Sequence, residues 1–536
     1  MVSIQSFRSV PFRGAYSLLL ACVAAATLSA CSNGAEEAAE AAAVAEFHLG
    51  NGNLPEARLA INQAIQAKDD LIDLHLLRGR IEFAAGDRAA AFDAYYNALA
   101  LDPLNNEALQ AVSQIGITTG NIAEAEDATD RILAISPAQP DALLVKGLIA
   151  LARRREAEAI RYADRALTAQ PGNENARILK ARALYLDGNS SAALATIGGG
   201  ESGGAGPVSE GIALTRLEIF RQIGDAANMD REFVRLRNLR PADSGLRIDE
   251  ANFRLKRGDA AAANGLLVRA LTQTAEVNAE QGLAARDVAR QAVDLWQQHG
   301  DGGMTNADWA GIAGNAPVEA REVVARHLLN TRNLDQAEQT IAALTGPNRQ
   351  ALAARLQAAR GDARGAVASA AAVLAQDETH CDALVATSEA QLALRRPDAA
   401  VRAGQRAAAE CPNRPEAFIA AALAYDAFGR QAGAERVFSE AINANPQDIA
   451  LVEAYARWLL DKRQGRQAVA ILRRYTRDTP ASVRGWRLYA DFCRRTGASC
   501  AREADLNRER AASIYAIDLA PGQLQPNGLF GRLIER

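Results

Sequence analysis

Apolar residues recur along this chain at three- and four-residue spacing, in short blocks separated by polar punctuation. Leu74, Leu77 and Ile81 mark one such face and stop at Gly86, while Ala91, Tyr95, Ala98 and Leu99 mark a second and stop at Pro103. That spacing predicts two amphipathic helices. Gly86-Asp87 supplies the turn between them, and proline ends the second because it cannot continue a helix interior. The block then repeats: Ala57, Ala91, Ala125, Ala159 and Ala193 stand 34 residues apart, as do Pro103, Pro137 and Pro171. A fixed period of this length is the signature of a solenoid, in which helix pairs that cannot bury their apolar faces alone stack on their neighbours.

The phase of the repeat divides the chain. A first array over 38–197 has turn positions at Gly52, Gly86, Gly120, Arg154 and Gly188. Residues 198–209 are glycine-rich, the composition of a flexible linker. Two further repeats over 210–279 carry Gly224-Asp225 and Gly258-Asp259. The stretch 280–317 loses the phase; it is helical from Ala284 to Trp296, then reaches Gly302-Gly303 and Trp309, and reads as an irregular helical insertion or an eroded repeat. A second main array over 318–516 restores the step at Ala366, Ala400, Ala434 and Ala468, with Pro412, Pro446 and Pro480, and closes on a degenerate unit where Arg502 replaces alanine. The tail 517–536, apolar at Leu529, Phe530, Leu533 and Ile534, reads as a cap on the last pair. The expected fold is all-α, a superhelix of antiparallel helix pairs in two main arrays with an interrupted middle.

Gly79, Gly86, Ala91, Tyr95, Ala98 and Pro103 stand where the tetratricopeptide repeat (TPR) family places its small residue, turn glycine, alanine, aromatic, alanine and proline, so the unit 72–105 resembles that family closely. It departs where His75 replaces the usual tryptophan. The resemblance implies a protein-binding scaffold whose first helices line a concave groove. The family's carboxylate clamp, lysine and asparagine at the fifth and ninth positions, is absent, since Leu76 and Arg80 stand there.

Residues 1–30 lie outside the solenoid. Arg8 and Arg13 precede an apolar run from Tyr16 to Leu28, the pattern of a secretory signal and too short for a spanning helix. Leu28-Ser29-Ala30-Cys31 resembles the bacterial lipobox, which implies cleavage before Cys31 and its acylation, with 31–37 as a lipidated tether. Ser32 after the cysteine resembles the outer-membrane sorting pattern. The expected location is the bacterial envelope, lipid-anchored and facing the periplasm. Without Cys22 and Cys31 four cysteines remain. The repeat register brings Cys381 to Cys411 and sets Cys493 and Cys500 across the Gly497 turn; these are disulfides in an oxidising compartment or buried free thiols.

The net charge of −4, or −6 without Arg8 and Arg13, argues against a nucleic-acid partner. One local basic excess stands out: Arg457, Arg484, Arg487, Arg494 and Arg495 fall on first helices of the last two units, and read either as a solvated, self-paired helix face or as a partner groove for acidic peptides, chain termini or anionic glycans. Asp491, four residues beyond Arg487, is placed to pair with it. Phe83, Tyr185, Tyr425 and Trp458 are aromatic groove candidates that read mainly as packing residues. Glycine-rich matches to hydrolase and dinucleotide motifs at 198–204 lack the strand and helix those motifs need. The histidines are scattered, so neither a metal, a cofactor nor a catalytic residue is expected. The reading is a membrane-anchored TPR scaffold binding other envelope proteins or peptides in assembly, secretion or exopolysaccharide export; a glycan- or peptidoglycan-binding lipoprotein is the alternative.

Overall fold

The computed structural model describes residues 34–198, 208–273, 284–300 and 302–515. The signal segment, Cys31, most of the glycine linker and the tail lie outside these residues. The chain divides into two compact units whose border falls between Ile219 and Phe220.

Unit 1 runs α1 (34–50), α2 (Leu54–Ala67), α3 (Ile72–Ala84), α4 (Arg88–Leu101), α5 (Asn106–Thr119), α6 (Ile122–Ile135), α7 (Pro140–Ala152), α8 (Glu156–Ala169), α9 (Glu174–Leu186) and α10 (Ser190–Thr196). Helix α11 (Glu210–Ile223) carries the border. Unit 2 continues with α12 (Ala226–Leu239), α13 (Ser244–Lys256), α14 (Ala260–Thr272), α15 (Ala285–His299), α16 (Asn306–Asn315), α17 (Val318–Asn330) and α18 (Leu334–Ala342). It ends with α19 (Gly346–Ala359), α20 (Ala363–Leu374), α21 (Cys381–Ala393), α22 (Pro397–Glu410), α23 (Pro415–Ala427), α24 (Gln431–Ala444), α25 (Ile449–Asp461), α26 (Gly465–Asp478), α27 (Val483–Thr496) and α28 (Ala501–Ser513). The described residues thus form an all-α, TPR-like solenoid of consecutive helix pairs.

One turn device joins the two helices of most pairs. The first helix ends on a left-handed residue, and the N–H directly after it reaches back to the helix, as from Asp87 to the Glu82 carbonyl at 3.0 Å. Aspartate then caps the second helix: Asp87 accepts from Ala90 N–H and Asp259 from Ala262 N–H. Glycine fills most left-handed positions, but Arg154, Arg332, Arg395 and Arg463 adopt the same positive φ. Packing between helices follows the small residues. The Tyr95 ring lies over Gly79, where a Cβ would come within 2.6 Å of it.

The stretch 280–317 contains a place in the row. Helix α15 packs between α13 and α17, and α16 between α14 and α18, so the solenoid continues through it. Its core is Trp296, fully buried, with Trp309 at 5.2 Å and His327 at 5.7 Å between ring centroids. Asn264 accepts from the Trp296 indole N–H at 3.1 Å and donates to the Gly302 carbonyl at 3.0 Å. The 34-residue phase is lost here because the segment carries its own loop, and because α18 has only 9 residues where α2 has 14.

Unit 2 also meets itself. Besides its neighbours in the row, α15 packs against α25 and α27. Gln298 donates to the Tyr475 hydroxyl at 3.1 Å and accepts from the Ser482 hydroxyl at 2.5 Å, while Arg484 donates to the Gln297 carbonyl. Nearby, Tyr515 packs on Phe253 at 5.3 Å between ring centroids, and Lys256 donates to the Ile514 carbonyl. The first helices of unit 2 from α15 to α27 therefore close into a ring.

Candidate binding groove

In a helix pair of this kind the first helices carry the inner face, and residues spaced by three and four share it. In unit 2 those positions are charged, not apolar. Asp382 at the start of α21 is 2 % exposed and Arg355 of α19 is 3 % exposed. The Arg326 Nε donates to Asp382 at 2.8 Å, and the Arg355 guanidinium lies 3.5 Å from Asp382, 3.5 Å from Glu389 and 3.9 Å from Glu416. Asn330 accepts from Arg355 at 2.9 Å, and the His380 ring shares a 2.8 Å hydrogen bond with Asn348, which in turn donates to Glu322.

Burial by itself would discourage ionisation of Asp382, yet Arg326, Arg414 and Arg355 hold it well below the ordinary carboxylate range. Burial likewise works against the charge on Arg355, and Glu389, Glu416 and Asp382 outweigh it. The cluster is thus a paired ionic core on the inner wall, although the buried Arg355 Nε and His380 Nδ1 lack hydrogen-bond partners. Its chemistry is positional: the charges tie the first helices of successive pairs, α17, α19, α21 and α23, to one another.

The five arginines of the last two units divide by environment. Glu453, mostly buried, holds both Arg484 and Arg457. Arg484 also binds the Gln297 carbonyl, so its charge is spent on closing the ring. Arg457 keeps 67 % of its side chain exposed despite its bond to Glu453, and Arg487 is exposed. Arg494 pairs with Asp505 at 2.9 Å and Arg495 with Asp491 at 2.9 Å. The expected Arg487–Asp491 pair is replaced by Asp491–Arg495, in which the acid precedes the base by one turn, the favourable order on a helix. Arg487 is therefore exposed outside these pairs, while Arg457, Arg494 and Arg495 are exposed and each paired with an acid.

Two further titratable groups sit at the ring seam. Surrounding protein desolvates the Asp294 carboxylate, although its side chain keeps contact with solvent, and with Asp448 nearby it is pushed up to about 6. Burial, with Lys256 and Arg487 adding positive charge, pulls His299 down to about 4.

Cys381 is bonded to Cys411 and Cys493 to Cys500, with Cα atoms 5.9 Å and 5.6 Å apart. The first bridge ties the start of α21 to the end of α22; the second spans the turn between α27 and α28. Of the aromatic candidates, Tyr425 and Trp458 are buried, and Trp458 packs on Phe438 at 5.8 Å, whereas Phe83 is 52 % exposed and Tyr185 half-buried. Among the described residues no group of three or more histidine, cysteine, aspartate or glutamate side chains is placed to hold a metal ion, and no helix is long and apolar enough to cross a membrane.

No family model matches the sequence, and no curated protein matches it. Solved structures do. A tetratricopeptide repeat protein from Parabacteroides merdae is 16% identical, with 48% of this chain and 99% of that one covered and a TM-score of 0.39. PilW, a type IV pilus biogenesis factor, is 21% identical over 38% of this chain and 94% of its own, with a TM-score of 0.32. The pilF product of Pseudomonas aeruginosa is 18% identical over 39% and 94%, with a TM-score of 0.30.

The Asp382 cluster was missed in the sequence, though a signal existed. Asn348 and Arg355, Asp382 and Glu389, and Glu416 occupy the second and ninth positions of successive units. Reading those positions down the array, and not along the chain, exposes one arginine followed by three acids on one wall.

Proposed function

We propose that this chain is a TPR-family lipoprotein of the bacterial envelope that binds other envelope proteins or peptides, anchored by an acylated Cys31. The observation that carries the binding role is the solenoid itself: long rows of stacked first helices, with a charged inner wall in unit 2. Support for the anchor comes from Leu28-Ser29-Ala30-Cys31 behind an apolar run. The accessible cations Arg457 and Arg487 favour an acidic partner. The glycan reading needs exposed aromatic platforms on the inner wall of unit 2, and burial of Tyr425 and Trp458 removes two candidates for them.

In-cell crosslinking from positions beside Arg457, followed by mass spectrometry, names the partner. Replacing Arg457 and Arg487 together by glutamate should lower its capture by about tenfold or more, since like charges facing each other cost several kcal/mol. Unchanged capture by the folded variant would sink the acidic-partner reading.

A further inference from the structure

The edge of unit 1 where each pair hands over to the next carries a run of exposed aliphatic side chains. Leu71 precedes α3, Leu101 ends α4, Leu104 sits in the following loop, and Ile135 ends α6. Their exposures are 36 %, 43 %, 63 % and 63 %. These side chains lie on three successive loops at one edge, formed by the ends of second helices and the starts of first helices. The same edge receives the beginning of the described chain. Helix α1 is described from residue 34, and a Cβ on Gly34 would lie 3.2 Å from the Ala67 carbonyl at the end of α2.

Cys31 precedes Gly34 by three residues. Three residues of fully extended chain reach at most about 10 Å, so a lipid on Cys31 brings this edge to the membrane surface. We propose that this edge of unit 1 rests on the bilayer, with Leu71, Leu101, Leu104 and Ile135 entering the headgroup layer beside the acylated cysteine. This rests on the lipid-anchor reading above and adds to it an orientation.

Charge points to apolar insertion as the attraction. Lys68 is paired with Asp70 at 3.6 Å, and Arg131 and Arg165 donate to the loop carbonyls of Pro103 and Pro137 at 3.3 Å and 2.9 Å. Asp69 and Asp102 flank the same loops. The edge is therefore not strongly basic, and its contact with lipid should survive high salt, unlike attachment through a polybasic patch. The opposite edge carries polar turns such as Asn51-Gly52-Asn53 and Gly86-Asp87 with Phe47 and Phe83 exposed beside them, so the position of Cys31 decides which edge meets the lipid.

The test uses the full, acylated chain in vesicles of phosphatidylethanolamine and phosphatidylglycerol. A fluorophore is attached through Leu104→Cys on the apolar edge or Ala89→Cys on the turn edge, and quenching by spin-labelled lipid is read. Quenching at 104 should exceed that at 89 by about threefold or more and persist in molar salt, as expected for apolar side chains in the interface. With the fluorophore at Leu101→Cys, adding Leu104→Glu and Ile135→Glu should reduce the quenching; both sites are exposed, so circular dichroism should be unchanged. Equal quenching at 104 and 89 on vesicle-bound, acylated protein would overturn the orientation while leaving the anchor intact. Crosslinking of this edge to a second copy, without quenching, would overturn it too. A Cys31 peptide without an acyl group, by mass spectrometry, would refute the anchor and this orientation together.

Discussion

Arginine at a left-handed turn position is a local misfit that this fold accommodates repeatedly. Arg154, Arg395 and Arg463 occupy the same place in the repeat as Gly86 or Gly429 and take φ near 57°, 56° and 63°. For a residue with a Cβ this region costs about 1–2 kcal/mol. The backbone there still makes the full set of turn hydrogen bonds, such as Arg396 N–H to the Gln391 carbonyl at 2.9 Å. Arg395→Gly should therefore raise stability, by up to about 1 kcal/mol once the added freedom of the unfolded chain is counted. Chemical denaturation of the variant checks it. Asp382 is the opposite case, a residue whose environment is built around it. Asp382→Ala leaves Arg326 and Arg355 without their shared acid and should destabilise unit 2 by about 3–5 kcal/mol. An unaltered melting temperature for the variant would contradict this.

At the scale of the helix pair, most of the architecture was legible. Apolar spacing, turn glycines and terminal prolines located the pairs because each is enforced locally, by helix sterics or by φ. The register also set Cys381 beside Cys411 and Cys493 across a turn from Cys500, where the structure bonds them. Less was legible around 280–317. There α15 and α16 contact their neighbours in the row more than they resemble them in sequence, with Trp296 and Trp309 doing the packing that alanines do elsewhere. The inner wall was hardest to read, because its pairs join residues 25 to 61 positions apart. Replacing Cys381 and Cys411 by serine removes one of two pins on the pairs of unit 2. It should cost about 2–4 kcal/mol, the usual worth of a bridge closing a loop of this size, measured by denaturation against the oxidised parent.

Across the whole of unit 2, acidity acts at the seam through two groups of opposite sense. Asp294 is raised to about 6, so its contribution is fullest at low pH and is lost as pH rises through that value. His299 is lowered to about 4, so its contribution is present above its ordinary value near 6.5 and is lost as pH falls toward 4. Between pH 4 and 6 the two largely cancel. In Asp294→Asn the histidine effect loses this opponent, with Asp448 still raised beside it, so stability should climb more with pH across that window than in the parent; in His299→Gln it should fall. Thermal melts at closely spaced pH values distinguish the slopes.

The closure of α15 on α25 and α27 also changes how unit 2 comes apart. An open row of repeats unravels from its ends, one pair at a time, because each pair is held only by its neighbours. Here Ser482 and Gln298 join residues 184 positions apart, so the late pairs are held by an early one as well. Fraying from α27 then has to break the seam first, and the central helices lose the gradient of protection that a linear array shows. Slow-exchanging amides should extend almost evenly from α17 to α25 and vanish together, while the price is paid on the way in: the ring can only be completed after a long loop has closed, which slows the last step of folding.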